Sequence, residues 1–475
     1  MRTKLRKFTF VSQIAFFLFV LLLCHPPTIL DAGELRVSLE GETLSVTAKK
    51  VPLQTILLEL TRDGVAVRID PQINPLITVN FKSRPIEQAL ETILKPASYS
   101  LLWESRFDNS GNKAIWLTEI HVFRSERKDQ MKPLVFKRVA EIIKNSAGIF
   151  YVKDELLLYL PLGIDLQKLE KLLQAYGATL NSSNIRLPGA IRILLPPNSD
   201  VFAIAREIKK KLNIGISQPN YAYPLESPVV HQVSSKQINI NPGSYVPTDN
   251  NAPIAILDSG LADNDDLDKF VMASLDVVDP GAQITDTLGH GTQMAYIASG
   301  IIKPYGSDDM SYIPVISIRA FDENGYTTDY NIMNSINYAL ANNARVMSLS
   351  WGSETRSDFM EKAFEYAHSQ GMMIVASAGN QPTGKPVYPA AYPAVIGVGA
   401  LAPHGKTWEN SNYGNFVTLY APGFADLPVG YKGEPGVYAG TSISAALVAN
   451  SIASYMSKNP AATQQEIQNF LNDKY

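Results

Sequence analysis

Cysteine is all but absent from this chain of 475 residues, the single one being Cys24. A fold stapled by disulfides is excluded, and stability must come from buried apolar surface, which a hydrophobic fraction of 45% can supply. Charge is sparse as well. Charged residues make up 18% and the net charge is −3, so no electrostatic footprint for nucleic acid is present. Histidine numbers only six, which leaves few candidates for any chemistry that needs an imidazole.

What the chain does carry begins with Arg2, Lys4, Arg6 and Lys7, followed by an apolar stretch from Ile14 to Leu23. A basic start ahead of about ten apolar residues is the pattern of a secretory signal, whereas a membrane span takes about 20. Residues 1–32 are therefore expected to be a signal peptide removed near Ala32, and the Phe8–Val11 flank keeps an uncleaved signal anchor open. Leu23, not a small residue, precedes Cys24, which argues against lipid attachment. The expected destination is the periplasm, the cell envelope or the medium.

A prior of about 150 residues per domain gives roughly three domains, and three patterns follow the signal. Residues 35–123 start with the strand alternation Leu44, Val46, Ala48, then a helix over Pro52–Thr61 with Leu53, Ile56, Leu57 and Leu60 on one face. Pro52 suits the first helical turn, where its missing N–H costs nothing. Strands at Val65–Ile69 and Ile77–Phe81 and a second helix with Ile86, Ala89, Leu90 and Ile93 come next. Val51-Pro52-Leu53 and Arg84-Pro85-Ile86 open the two helices alike, which hints at an internal duplication. This stretch resembles the short N-terminal domain of secretins and TonB-dependent receptors, a likeness that implies docking to an envelope complex; a plain α+β spacer is the alternative.

Residues 150–225 repeat a β-α-β-β-α-β rhythm: a strand at Glu155–Leu160, a helix face of Leu166, Leu169, Leu172 and Leu173, and strands at Ala178–Leu187 and Ala190–Leu195. A helix with Val201, Ile204, Ala205 and Ile208 follows, and the unit closes with Ile214–Ser217 and the extended Gln218-Pro219-Asn220-Tyr221. It is similar to the propeptide of subtilisin-like proteases, which implies an intramolecular inhibitor and folding template. Parallel sheets form slowly from distant contacts, so a packed partner could template one. Residues 226–251 hold Ser227-Pro228, Asn241-Pro242-Gly243 and Asp249-Asn250-Asn251 with little periodicity, and read as an exposed linker open to maturation cleavage.

From residue 252 to 475 short apolar runs alternate with helical patterns. The runs are Pro253–Leu257, Pro314–Ile318, Arg345–Leu349, Met372–Ala376 and Val395–Gly399, and the helices lie near 290–301, 328–342 and 357–370. This is the signature of an α/β domain with a doubly wound parallel sheet, whose sites form at the carboxyl ends of the strands. Asp258 follows one run directly, and Ser350 and Asn380 follow two others.

Asp258-Ser259-Gly260, His290-Gly291-Thr292 and Gly440-Thr441-Ser442-Ile443-Ser444-Ala445 occur in that order. They supply a carboxylate, an imidazole and a hydroxyl, the groups that turn a weak alcohol into a nucleophile, in one of the chain orders that serine hydrolases use. Together with Ala376-Ser377-Ala378-Gly379-Asn380, Val387-Tyr388-Pro389-Ala390-Ala391-Tyr392-Pro393, Ser411-Asn412-Tyr413-Gly414 and Ala421-Pro422-Gly423, these blocks resemble the subtilisin-like serine peptidases. The resemblance implies Ser442 as nucleophile, His290 as general base, Asp258 as its orienting partner and Asn380 as oxyanion donor. It also implies that Ser350, Trp351 and Gly352, with Ala378 and Gly379, bind extended substrate. Trp351 is bulkier than usual there and could equally narrow a pocket or sit in the core.

Two departures stand out: Gln293 replaces a second histidine after the His-Gly-Thr block, and Ala446-Leu447 replaces a Pro-His pair after the nucleophile. Altered packing with catalysis retained is expected. Asp263, Asp265, Asp266 and Asp268 are read as solvated loop residues or at most weak cation ligands. No cofactor is expected, and calcium is left without a recognisable loop. The expected function is an exported serine endopeptidase made as a self-processed zymogen, acting on protein or peptide substrates. The alternatives are acyl transfer to an amine by the same triad, giving ligation or cyclisation, and an envelope assembly protein that keeps the protease fold as scaffold.

Overall fold

A computed structural model describes residues 35–475 except 41–42, 63–64, 108–112, 126, 135–139, 162, 182–188, 226–228, 234–251, 281, 309 and 429–433. The expected signal or anchor with Cys24 lies outside the described residues, as does most of the expected linker. Among the described residues no helix is long and apolar enough to cross a membrane. The chain divides into two compact units, 1–136 and 137–475.

The first unit holds β1 (Leu35–Glu40), β2 (Thr43–Pro52), α1 (Leu53–Arg62), β3 (Ala66–Ile69) and β4 (Leu76–Pro85). It continues with α2 (Ile86–Leu94), β5 (Ser98–Phe107), β6 (Lys113–Phe123) and β7 (Lys132–Pro133). The strands form two sheets, in the orders β1-β2-β4 and β5-β6-β3-β7. Leu53, Ile56, Leu57 and Leu60 of α1 and Ile86, Ala89, Leu90 and Ile93 of α2 are buried in one core. Pro52 and Pro85 close the preceding strands, and the helices begin one residue later than expected. Proline's fixed φ serves an extended N-cap as well as a first turn, and Pro85 takes φ −48°, ψ 135° there. His121 Nε2 lies 2.8 Å from Glu119 Oε1.

In the second unit the N-terminal part contains β8 (Ile142–Lys144), β9 (Phe150–Tyr159), α3 (Leu166–Ala175), β10 (Thr179–Asn181), β11 (Ala190–Leu194), α4 (Val201–Leu212) and β12 (Ile216–Pro224). The last strand runs through the tetrapeptide expected to close the unit and three residues beyond it. β9 lies between β11 and β12, antiparallel to both. Its residues alternate between two cores. Leu156 and Leu158 pack with Leu169, Ile193 and Ile208, while Leu157 faces the opposite core with Ile216 and Tyr223. Both faces of this sheet are therefore covered.

The remainder supplies β13 (Val229–Val233), β14 (Ile254–Asp258), α5 (Asp265–Asp268), β15 (Val271–Asp276), α6 (His290–Ala298), β16 (Val315–Arg319), β17 (Tyr326–Thr328) and α7 (Asp329–Ala341). Then come β18 (Val346–Leu349), α8 (Asp358–Ser369), β19 (Met373–Ser377), β20 (Ile396–Leu401), β21 (Leu419–Pro422), β22 (Phe424–Leu427), β23 (Gly436–Ala439), α9 (Thr441–Lys458) and α10 (Gln464–Lys474). Seven strands pair in the order β15-β16-β14-β18-β19-β20-β21, all parallel. Ile254 and Ile256 of β14 face the core containing α6 and α9, and Ala255 and Leu257 face the core containing α7 and α8.

β15 and β21 were not anticipated. They are the sheet's two edges, where one flank needs no apolar partner, and β15 shows alternating half-burial instead of a continuous apolar run. Within the expected linker, Val229–Val233 is a strand paired antiparallel to β23. Backbone pairing on an exposed edge places little demand on side chains, so periodicity gave no sign of it.

One buried charge pair ties the N-terminal sheet together. Glu155, 1% exposed, accepts from Arg192 Nε at 3.0 Å and from Asn220 Nδ2 at 2.9 Å. Arg192→Ala strands that carboxylate and is expected to cost about 3 kcal/mol, read as a lower urea midpoint for unit 137–475.

Candidate active site

β14 delivers Asp258 to the carboxyl edge of the sheet, where it is 1% exposed. Asp258 Oδ1 lies 2.7 Å from His290 Nδ1 and also accepts from the Ser259 amide at 2.7 Å. His290 is fully buried at the first position of α6. Burial pulls its pKa down, but the charge and hydrogen bond of Asp258, with Asp286 adding to them, outweigh that and leave it raised. A carboxylate at Nδ1 holds the ring proton there, so Nε2 is left as the basic nitrogen. Nε2 is buried and has no hydrogen-bond partner.

The glycines of these two blocks follow from close packing. A Cβ on Gly291 would meet the Gly260 carbonyl oxygen at 2.4 Å, and one on Gly260, whose φ is +129°, would meet the Thr285 oxygen at 1.9 Å. Backbone lies on backbone here, which brings the Asp258 strand against the start of the His290 helix. Asp286, which the sequence reading passed over, locks that start. Its Oδ1 accepts from Ser259 Oγ at 2.8 Å and from the Gly289 amide at 2.7 Å, and its Oδ2 accepts from the Thr292 amide at 2.8 Å. An acidic residue four positions before a helix-opening histidine was the available signal, because carboxylates settle at helix N-termini.

Ser442 occupies the first turn of α9, which packs against α6. Its Oγ donates to the Ser350 carbonyl at 3.3 Å. The expected row is thus closed between Asp258 and His290 and open between His290 and Ser442. Catalytic hydrogen bonds are often loose until substrate arrives. Asn380 Oδ1 accepts from the Thr441 amide and from Thr441 Oγ1, both at 3.0 Å. That fixes the amide orientation, and Nδ2 lies beside Gly440, 3.7 Å from where its Cβ would stand.

Ser350 follows β18, and its Oγ donates to the Ser442 carbonyl at 3.4 Å. Gly352 is closed in by Val387, whose Cγ1 would lie 2.3 Å from an added Cβ. The Ala378 amide donates to Val398 at 2.9 Å, and the Gly379 amide to Thr441 Oγ1 at 3.2 Å. Their carbonyls accept from Asn412. The amides of both residues are thus already committed. Gln293, Ala446 and Leu447 are all buried in the helices beside the site.

The β17 edge is occupied by the chain itself. β12 runs antiparallel to β17, with Tyr223 opposite Thr327, and the Leu225 amide donates to the Gly325 carbonyl at 2.7 Å. The Tyr223 ring packs on Trp351 at 5.4 Å, and Trp351 in turn meets Phe321 edge-on at 6.0 Å. Trp351 is therefore both a core residue and the wall against which Tyr223 rests. Tyr223 Oη donates to Asp329 Oδ1 at 2.6 Å, and Gln218 Nε2 and Ser357 Oγ donate to Oδ2, each at 2.9 Å. Gln218 Oε1 accepts from the Phe359 amide at 3.1 Å, and Asn220 Oδ1 from the Tyr330 amide at 3.1 Å, so β12 caps the starts of both α7 and α8. Asp329 was not singled out from sequence; an aspartate at a helix start has too common a local role to draw notice.

A buried aspartate–histidine pair beside a helix-opening serine, above the edge of a parallel sheet, is the furniture of an α/β serine hydrolase. Residues 249–475 match the subtilase family, peptidase S8. The thermophilic serine proteinase of Bacillus sp. (strain AK1) is 29% identical over 324 residues, covering 66% of this chain and 80% of that protein. Thermitase of Thermoactinomyces vulgaris is 33% identical over 175 residues, 36% of this chain and 63% of its own length. Fervidolysin from Fervidobacterium pennivorans, a keratinolytic enzyme related to subtilisin, shares the fold at a TM-score of 0.54 and 21% identity, over 70% of this chain and 58% of that one. The C-terminal half of the chain is a subtilisin-like serine endopeptidase, and proteins or peptides are its substrates.

Burial pushes Asp329 up to about 7 from an ordinary 3.8, against the hydrogen bonds from Tyr223, Ser357 and Gln218 that pull it down. Tyr223 and Gln218 belong to β12, so this environment exists only while that strand is seated. A carboxyl with the higher pKa in the seated form takes up a proton on seating. The contact is then tightest below the ordinary carboxylate pKa, weakens as pH rises through about 7, and levels off above. Hydrogen-exchange protection of the β12 amides, corrected for intrinsic rates, should fall over that range, and Asp329→Asn should flatten the profile.

Proposed function

We propose that Ser442 attacks the substrate carbonyl while His290 Nε2 accepts its proton. Asp258 holds the ring in the required tautomer and stabilises the imidazolium. The observation that carries this reading is the buried 2.7 Å contact between Asp258 and His290, which leaves the opposite nitrogen unpartnered, with Ser442 in the first turn of a helix packed against that of His290. The developing oxyanion meets the Ser442 amide, one of the unpaired first-turn donors of α9, and Asn380 Nδ2, aimed by Thr441. Proton return from His290 expels the amine, and water then hydrolyses the acyl-enzyme. Every step uses side chains and backbone of this chain, and none calls for a cofactor.

The same reading makes residues 150–225 a propeptide. Its support is the seating of β12 on the β17 edge, the pairing that extended peptides use when they add a strand. The chain is then synthesised as a zymogen that cuts itself after β12. The basic, apolar N-terminus and the extracellular character named for one relative, the minor extracellular protease Epr of Bacillus subtilis (strain 168), support export. Residues 35–123 would dock the enzyme at the cell envelope.

A fluorophosphonate should label the wild-type chain at Ser442 and fail to label Ser442→Ala. Both Ser442→Ala and His290→Ala should remain full length where the wild type shortens, as mass spectrometry would show; processing of either variant in isolation would assign the cut to another protease. Loss of an oxyanion donor in a subtilisin costs about a hundredfold to a thousandfold in kcat. Asn380→Ala is expected to behave alike, with KM little changed.

A further inference from the structure

The five donors that Asp286 gathers come from both sides of the Asp258–His290 contact. Ser259, next to Asp258 on the chain, donates through Oγ to Asp286 Oδ1 at 2.8 Å. The Leu288 and Gly289 amides, just ahead of His290, donate to the same oxygen at 3.2 and 2.7 Å. Thr292, just past His290, donates to Oδ2 through its amide at 2.8 Å and through Oγ1 at 2.6 Å. Two of these partners carry the linkage further. Ser259 Oγ accepts from the Gly291 amide at 2.8 Å, and Thr292 Oγ1 accepts from the Ala262 amide at 2.9 Å. One carboxylate therefore clasps the strand end that carries the acid to the helix start that carries the ring. Asp258 and His290 themselves share a single 2.7 Å contact, about which a ring can pivot unless its backbone is held.

We propose that Asp286 is a positioning residue for the general base, holding His290 against Asp258 for proton transfer from Ser442 and favouring the imidazolium as it forms. The inference rests on the reading of His290 as the base for Ser442. Asp286 acts through the ring, by placement and by charge. A reacting group misplaced by about 1 Å can lose about a hundredfold in rate. Burial lowers the proton affinity of His290, and Asp258 and then Asp286 raise it. Few other charges bear on the ring. Of the elements packed against α6, β14 brings only Asp258, and β16 brings Arg319, whose Nη1 is committed to Asp276 at 2.7 Å. The only charged residue of α9 is Lys458, at its far end, and α6 has none besides His290. Asp266 and Asp268 of α5 bear on Tyr296, further along α6. Negative charge beside an imidazole favours its protonated form, so loss of the Asp286 charge lowers the pKa of the base.

The test compares the wild-type chain with Asp286→Asn, which keeps the shape and one acceptor oxygen but drops the charge. Each is allowed to mature, and its active sites are counted by fluorophosphonate titration, so misfolded protein drops out of the rate. The same substitution is also placed in the full-length Ser442→Ala chain, where nitrogen NMR of the histidine rings follows the signal that His290→Ala removes. That second measurement needs no turnover. In Asp286→Asn, kcat per titrated site should fall by up to about a hundredfold with KM held. The acid limb of kcat/KM, which reports the base of the free enzyme, should move to lower pH together with the His290 titration. If Asp286→Asn yields no active sites, the histidine titration alone decides. A kcat per site equal to that of wild type, or a His290 titration that stays in place, overturns the positioning role and leaves the triad reading intact. A wild-type chain that cleaves no peptide overturns the triad reading, and this inference with it.

Discussion

Parallel pairing is the constraint from which the site follows. Strands joined in parallel must each return by a crossover, so all seven end at the same edge of the sheet. Asp258, Ser350 and Asn380 follow three of those ends although they are far apart in sequence, and the helices starting at His290 and Thr441 enter from the same side. No individual interaction gathers Asp258, His290 and Ser442. The topology gathers them, and local contacts then trim the distance between Asp258 and His290 to hydrogen-bond length.

The trimming is done by residues with no chemical role in turnover. Gly260 and Gly291 allow two backbones to touch, Asp286 gathers five donors from Ser259, Leu288, Gly289 and Thr292, and Thr441 clamps the Asn380 amide. A carboxylate that satisfies several backbone amides is expensive to move, because each freed N–H in a buried turn would need a new acceptor. The reactive side chains thereby stand on a scaffold that holds its geometry without substrate.

Much of this was legible from residues alone. The apolar runs at 253–257, 345–349 and 372–376 announce strands buried on both faces, and the glycine-flanked blocks mark the sheet edge. What escaped notice shares a physical cause. β13 and the edge strands β15 and β21 are specified by backbone pairing with neighbours, which leaves little trace in side-chain pattern. Asp286 and Asp329 each sit at a helix start, where aspartate is commonplace. Their importance comes from groups brought in by tertiary contact: in one case Ser259, in the other Tyr223 and Gln218, more than 100 positions away in sequence. Trp351 shows the same limit. Its bulk was visible, but its role as the wall behind Tyr223 depends on a partner that only folding supplies.

The N-terminal sheet of the second unit is a layer in the middle of that unit. One side of β9 and β12 rests on helices α3 and α4 and the other on helices of the catalytic core, so Leu157, Ile216 and Tyr223 are dry only while the two parts stay together. A fragment that came away would present a bare apolar face and an open strand edge to water, with no cysteine cross-link to brace it. Such a piece is poorly suited to linger as a free solute. It would unravel, and an unravelled chain is fodder for an endopeptidase, so any such detachment would be one-way, with the detached piece destroyed.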